Sequence, residues 1–287
     1  VPVSIIPPGL GIDRRLPLLL LLSLVASAGP AGAGEPCGPA RALPAYAHND
    51  YRNDRPCEEA LELGYLGVEA DVFFSDGALR LAHDRRDVRE GFDFEAIYLR
   101  PLLSRARRCS RILPDPQPFL VTIEDKAPSV ESRLALAMLL ERYRELLQSS
   151  PEGPIARFIL VDNMANPASI PRELRLHAGL QWRVTSRSPA PADDAAVDYL
   201  LLSLDYGKEI EWNGSGGPPP AASALIAAVV AAAGRVPGCL VRVHHVPERE
   251  RIWSWLLDTG VDLIGVTDLP KGAKMLERPM ASTAEAD

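Results

Sequence analysis

From residue 43 onward the chain alternates short apolar runs of strand length with longer amphipathic stretches, and no other feature narrows its fold so far. Eight runs stand out, at 43–47, 66–72, 119–123, 158–161, 180–184, 199–202, 239–243 and 263–266. Several, most clearly 119–123 and 158–161, are apolar without strict alternation. Such runs suit parallel strands covered on both faces. The stretch 129–147 shows the helical counterpart: Leu136, Leu139, Leu140, Tyr143, Leu146 and Leu147 fall on one face, and Arg133, Glu141, Arg144 and Glu145 on the other. Ser129 stands where an N-cap belongs. The Ala-rich stretch 219–233 is shorter than the ~20 residues a membrane span needs, so it reads as a barrel helix. Eight β/α units in about 235 residues predict a single-domain α/β fold, the (β/α)8 TIM barrel, whose usual size is ~250 residues.

Two departures from a plain barrel are legible. Asp76-Gly77 is a tight-turn dipeptide, so a small hairpin is expected to extend strand 2. Residues 85–117, rich in charge and proline, form a long excursion before the third strand. At the N-terminus, Arg14 and Arg15 precede a leucine-rich run and then small residues at Ala26, Ser27, Ala28, Ala31 and Ala33. That order is the pattern of a secretory signal peptide over residues 1–34, which implies export to the periplasm or medium, with the barrel over 35–278 and a disordered tail over 279–287. Four cysteines, Cys37, Cys57, Cys109 and Cys239, then face an oxidising compartment; their spacing leaves the pairing open and gives no CxxC metal or redox motif.

A formal net charge of -7 argues against a broad basic surface for nucleic acid. It leaves a small anionic substrate open, because one metal ion in a pocket reverses the local field.

Reacting groups of such a barrel sit at the C-terminal ends of its strands. His48-Asn49-Asp50 ends the first run, Glu69-Ala70-Asp71 lies in the second, His83-Asp84 closes the hairpin, Glu124-Asp125-Lys126 ends the third, and Asp268 follows the eighth. Residues two apart on a strand share a face, so Glu69 and Asp71 can both point into the mouth. With Glu124 they make an oxygen-rich site for a hard divalent cation, Mg²⁺ or Ca²⁺. His48 and His83 can divide the proton transfers of a displacement, and Lys126 can neutralise a phosphate oxygen. Each residue alone has a structural reading as a loop, cap or ion-pair group; joint placement at successive strand ends carries the argument.

Together, His48-Asn49-Asp50, Val68-Glu69-Ala70-Asp71-Val72, His83-Asp84 and Ile123-Glu124-Asp125-Lys126 resemble the phospholipase C-like phosphodiesterase superfamily of glycerophosphodiester phosphodiesterases and PI-PLC-like enzymes. With Tyr51, Arg55 and Pro56 the run looks most like the altered-inheritance-of-mitochondria proteins and their bacterial relatives. The resemblance extends through Arg242, Pro247 and Asp268. It implies a metal on Glu69, Asp71 and Glu124, a catalytic pair in His48 and His83, and substrate contacts from Asn49, Lys126, Arg242 and His244. The implied substrate is a small-molecule or lipid phosphodiester, glycerol- or lipid-derived, opened by water or by cyclising attack of a neighbouring hydroxyl, with peripheral membrane contact a corollary for a lipid. Two positions depart from the superfamily: Asn49 stands where glycerophosphodiesterases usually carry Arg, and His244-His245 where a tryptophan is common. Two other readings compete, a metal-dependent amidohydrolase, which would want an HxH pair that Ala47-His48-Asn49-Asp50 does not supply, and an exported non-catalytic binding protein.

Overall fold

The computed structural model describes residues 37–38, 41–113, 117–147, 149–150, 153–161, 170–191 and 199–277; the expected signal peptide and C-terminal tail lie outside them. The strands are β1 (Leu43–Ala47), β2 (Tyr65–Ser75), β3 (Ala78–Leu81), β4 (Phe119–Asp125), β5 (Ser149–Ser150), β6 (Gly153–Pro154), β7 (Ala156–Val161), β8 (Ala178–Val184), β9 (Tyr199–Asp205), β10 (Leu240–His244) and β11 (Leu263–Val266). Eight of them close a parallel ring in the order β1, β11, β10, β9, β8, β7, β4, β2, with β1 pairing back to β2. The fold is the expected TIM barrel. β3 pairs antiparallel with β2 outside the ring, through a turn in which Asp76 and Gly77 both have positive φ, as a two-residue hairpin loop requires. β5 and β6 form a separate short pair.

Helices α1 (Glu58–Leu63), α2 (Arg100–Cys109), α3 (Val130–Arg142), α4 (Arg172–Arg175), α5 (Tyr206–Glu209), α6 (Pro220–Ala233), α7 (Glu250–Asp258) and α8 (Leu269–Glu277) follow their strands. α3 starts as expected at Ser129. Its Oγ accepts from the Ser132 amide (3.0 Å), and Ser132 Oγ accepts from the Ser129 amide (2.9 Å), a reciprocal cap. Ser132 Oγ also donates to Asp125 Oδ2, tying the helix start to the end of β4. None of the described helices is long and apolar enough to cross a membrane.

The expected excursion at 85–117 is largely helical. A wide turn at Glu95–Leu99 runs straight into α2, and Phe94, Tyr98, Leu99, Leu102 and Ala106 are buried at helical spacing. Arg100, Arg107 and Arg108 crowd the exposed face, which is why the segment reads as a charged loop when composition outweighs periodicity. Cys109 at the end of α2 forms a disulfide with Cys37, while Cys57 and Cys239 remain thiols. The bridge spans a sequence separation of 72 residues, so it removes a long loop from the unfolded ensemble. Replacing both cysteines by serine is expected to lower stability by about 2–4 kcal/mol, read as a lower urea midpoint with an unchanged rate of catalysis.

Strand alternation sorts the barrel interior into three layers. Leu120, Ile159, Leu201 and Leu263 form a buried apolar cluster that closes the bottom, with Tyr46 above it. The middle layer is polar. Arg242 donates to the Tyr46 hydroxyl and, through Nε, to Ser203 Oγ (2.9 Å); Tyr46 lies 3.0 Å from Thr122 Oγ1, and Thr122 donates to the Val68 carbonyl (3.3 Å). Two residues further along β4, β9 and β10 lie Glu124, Asp205 and His244, at the mouth, while Glu69 on β2 pairs in register with Thr122 and Asp71 with Glu124.

Candidate active site

Glu69 and Asp71 on β2 and Glu124 on β4 come together as expected, each offering a carboxylate oxygen within 4.8 Å of the others. The register that pairs Asp71 with Glu124 across β2 and β4 fixes this, so it depends on backbone and not on flexible loops. Asp71 is buried, and its Oδ1 has no hydrogen-bond partner among the described residues. An orphaned buried carboxylate oxygen costs free energy unless something positive reaches it. Lys126 supplies part of that charge, with Nζ at 3.1 Å from Glu124 Oε1 and 3.4 Å from Asp71 Oδ2. Three oxygens at this spacing and an orphan among them fit a hard divalent ion.

The electrostatics set Glu69 and Asp71 apart. Burial pushes the Glu69 carboxyl up, but the Arg242 guanidinium at 3.8 Å and His48 outweigh it and hold the group below its ordinary range. Asp71 goes the other way: burial and then its neighbours Glu69 and Glu124 raise it to about 7. Lys126 lies above its ordinary value, since Asp71 and Glu124 outweigh its burial.

A pH prediction follows for the metal-free protein. Asp71 binds its proton more tightly folded than unfolded, so the folded state holds more protons between about pH 4 and 7 and stability falls as pH rises through that window. Thermal melts in chelator should show this decline, and Asp71→Asn should flatten it. Divalent binding should strengthen over the same window, because the ion must displace that proton.

His48 follows β1, with its backbone N–H on the Val266 carbonyl (2.9 Å) and its Nε2 3.5 Å from Glu69 Oε2. Burial, against the pull of Glu69, lowers it to about 4, so the imidazole is neutral at ordinary pH. Asn49 adopts a left-handed conformation (φ 52°) that turns its backbone N–H towards Glu69 Oε2 (3.4 Å). Asn tolerates that conformation better than most residues. Tyr51, two residues on, donates to Asp71 Oδ2 (2.8 Å).

His83 sits at the other edge of the acids. The Ala82 amide donates to the Asp71 carbonyl (3.1 Å), which places His83 just past the metal-facing end of β2. Its half-exposed ring lines an open cavity of about 580 Å³ with Tyr51, Arg52, Asn53 and Arg89. Tyr51 thus touches both the acids and the cavity.

Arg242 is 2% exposed and committed to Glu69, Tyr46 and Ser203 beneath the mouth. His244 reaches the mouth, with its ring 5.8 Å from that of His48. Asp268 does not join the site; it is exposed, and its Oδ1 accepts from the Lys271 amide (3.1 Å) at the start of α8. Sequence reasoning missed Tyr46, Thr122, Ser203 and Asp205. The alternation Leu201, Ser203, Asp205 held the signal, but an apolar run ending at 202 stops before the polar end of β9.

Residues 39–114 match the family model of the AIM6-like phosphodiesterase domain. That segment carries His48, Glu69, Asp71 and His83. Among solved structures, the chain is similar to a glycerophosphodiester phosphodiesterase from Agrobacterium tumefaciens, with 12% identity, TM-score 0.50, and coverage of 80% of this chain and 98% of that one. A protein from Silicibacter pomeroyi described as a glycerophosphoryl diester phosphodiesterase gives 13% identity and TM-score 0.50, over 85% and 96% of the two chains. At such identities these likenesses speak for the fold. No curated protein matches the chain at a significant level.

Proposed function

We propose that this phosphoric diester hydrolase acts with a divalent cation on a glycerol- or lipid-derived phosphodiester, with His48 and His83 dividing the proton transfers. The observation that carries the reading is the convergence of Glu69, Asp71 and Glu124 on one point flanked by a neutral, part-buried His48. Bound there, Mg²⁺ or Ca²⁺ supplies Lewis acidity and takes up charge on phosphate oxygens. Lys126, already 3.1–3.4 Å from two of the acids, swings its ammonium onto a phosphate oxygen. Neutral His48 removes the proton from the attacking water or neighbouring substrate hydroxyl, and His83 gives one to the departing oxygen. Asn49 fixes the loop on which His48 rides, and Arg242 keeps Glu69 ionised from below. The open cavity beside His83, lined by Arg52 and Arg89, takes the alcohol part of the substrate. The Cys37–Cys109 bridge supports export, since disulfides persist in oxidising compartments.

The test is a panel of phosphodiesters, monoesters and amides assayed with Mg²⁺, with Ca²⁺ and with EDTA. Turnover of diesters alone, lost in EDTA and restored by one of the ions, is the expected result. Turnover of amides, or diester turnover unaffected by EDTA, overturns the reading.

A further inference from the structure

Beside the three acids, the barrel mouth holds a second cluster with a different donor set. Asp205 ends β9, and His244 ends β10 with His245 directly after it; each offers a ligand atom, and these lie within 4.8 Å of one another. We propose that Asp205, His244 and His245 form a second cation site, suited to a borderline divalent ion such as Zn²⁺ or Co²⁺. Two imidazoles and a carboxylate are the donors such ions prefer, whereas the all-oxygen trio of Glu69, Asp71 and Glu124 suits a hard ion.

The geometry is close to what ligation needs. Ligand atoms ~2.0–2.1 Å from a tetrahedral ion stand about 3.3 Å apart. Here His245 Nδ1 lies 3.0 Å from Asp205 Oδ1 and His244 Nε2 3.8 Å from its other oxygen, Oδ2, and one ligand atom from each residue lies within 4.8 Å of the others. His244 is also oriented from behind. Its Nδ1 lies 3.4 Å from Ser203 Oγ, itself held by Arg242 Nε, and an Nδ1–H donated to that oxygen leaves the Nε2 lone pair facing Asp205.

The backbone is arranged for the same convergence. His245 adopts a left-handed conformation (φ 54°), a disfavoured state for a residue with a Cβ, and this turn brings its ring back onto Asp205. On β11, opposite His244, stands Gly265; a Cβ there would come within 2.9 Å of the His244 Cβ, so the glycine leaves room for that side chain. The Lys208 ammonium, 2.9 Å from Asp205 Oδ2, stands where an ion's charge would go, and with its side chain 61% exposed it is free to move into solvent. His48 lies against the cluster, with ring centroids 5.8 and 5.1 Å from His244 and His245. A second ion would therefore stand at the same mouth, on two imidazoles and Asp205, without drawing on Glu69, Asp71 or Glu124.

Titration of the full chain with Co²⁺, followed by its visible d–d absorption, tests this separately from the activity. Asp71→Asn/Glu124→Gln, which leaves the Arg242–Glu69 pair intact, should still bind Co²⁺ with the intense band of a four-coordinate ion. His245→Ala and Asp205→Asn should lose the band and bind that equivalent about a hundredfold or more weakly, above the 10–100-fold typical of outer-shell changes. His245 has a half-exposed side chain, so its loss does not threaten folding, and Mg²⁺ binding in His245→Ala reports on the intact acids. No band in the unaltered protein, a band that survives in His245→Ala, or one lost in Asp71→Asn/Glu124→Gln overturns the assignment.

Discussion

Replacing Glu69, Asp71 or Glu124 by its amide is expected to lower kcat/KM for a phosphodiester by about 10³-fold, because each change removes a charged ligand from the ion. An ion on phosphate oxygens contributes several kcal/mol of transition-state stabilisation, and each 1.36 kcal/mol is about tenfold in rate. The three variants should separate on stability. Glu69→Gln leaves the Arg242 cation buried without its counter-charge, and breaking a buried pair costs about 3–5 kcal/mol, so this variant should also melt markedly lower. Asp71→Asn removes a group that burial and its neighbours already push towards neutrality, so metal-free stability near pH 7 should hold or rise. Glu124, less buried than Glu69 and Asp71, should show the activity loss with little change in melting, since Lys126 keeps Asp71 as a partner. Isothermal titration with Mg²⁺ and Ca²⁺ beside thermal melts checks all three. Unchanged ion affinity across the set would make the acids structural.

His48→Ala and His83→Ala should each cut kcat by about 10²–10⁴-fold, the span of a general acid or base. They should differ in what rescues them. Burial keeps His48 neutral above about pH 4, which suits a base; His83, on the open side of the acids, suits the acid that serves the departing alcohol. A diester with a nitrophenol leaving group needs no proton on departure, so it should restore turnover in His83→Ala and leave His48→Ala slow. Metal affinity should stay near that of the unaltered protein in His83→Ala. Rescue of neither variant, or full turnover of both on a poor leaving group, would require another proton carrier.

The carboxylates were legible because their placement depends on one strand register. Glu69 and Asp71 share a face by the two-residue period, and Glu124 ends the next strand, so reading the runs sufficed. α2 was harder, because arginines on its outer face conceal an apolar stripe that only periodicity reveals. The polar layer of Tyr46, Thr122, Ser203 and Arg242 was harder still. Its members are far apart in sequence, on β1, β4, β9 and β10, and each alone passes for an ordinary strand residue.

Order along the chain therefore determined the barrel, the hairpin after strand 2, the cap at Ser129 and the acids at the mouth, since periodicity, turn chemistry and capping act within a few residues. Closure of the ring decided the rest. It set Arg242 under Glu69, while packing brought Cys109 to Cys37 and the pairing of β9 with β10 set Asp205 beside His244. Those relations join residues across strands or across long loops, and no local spacing encodes the distance between them.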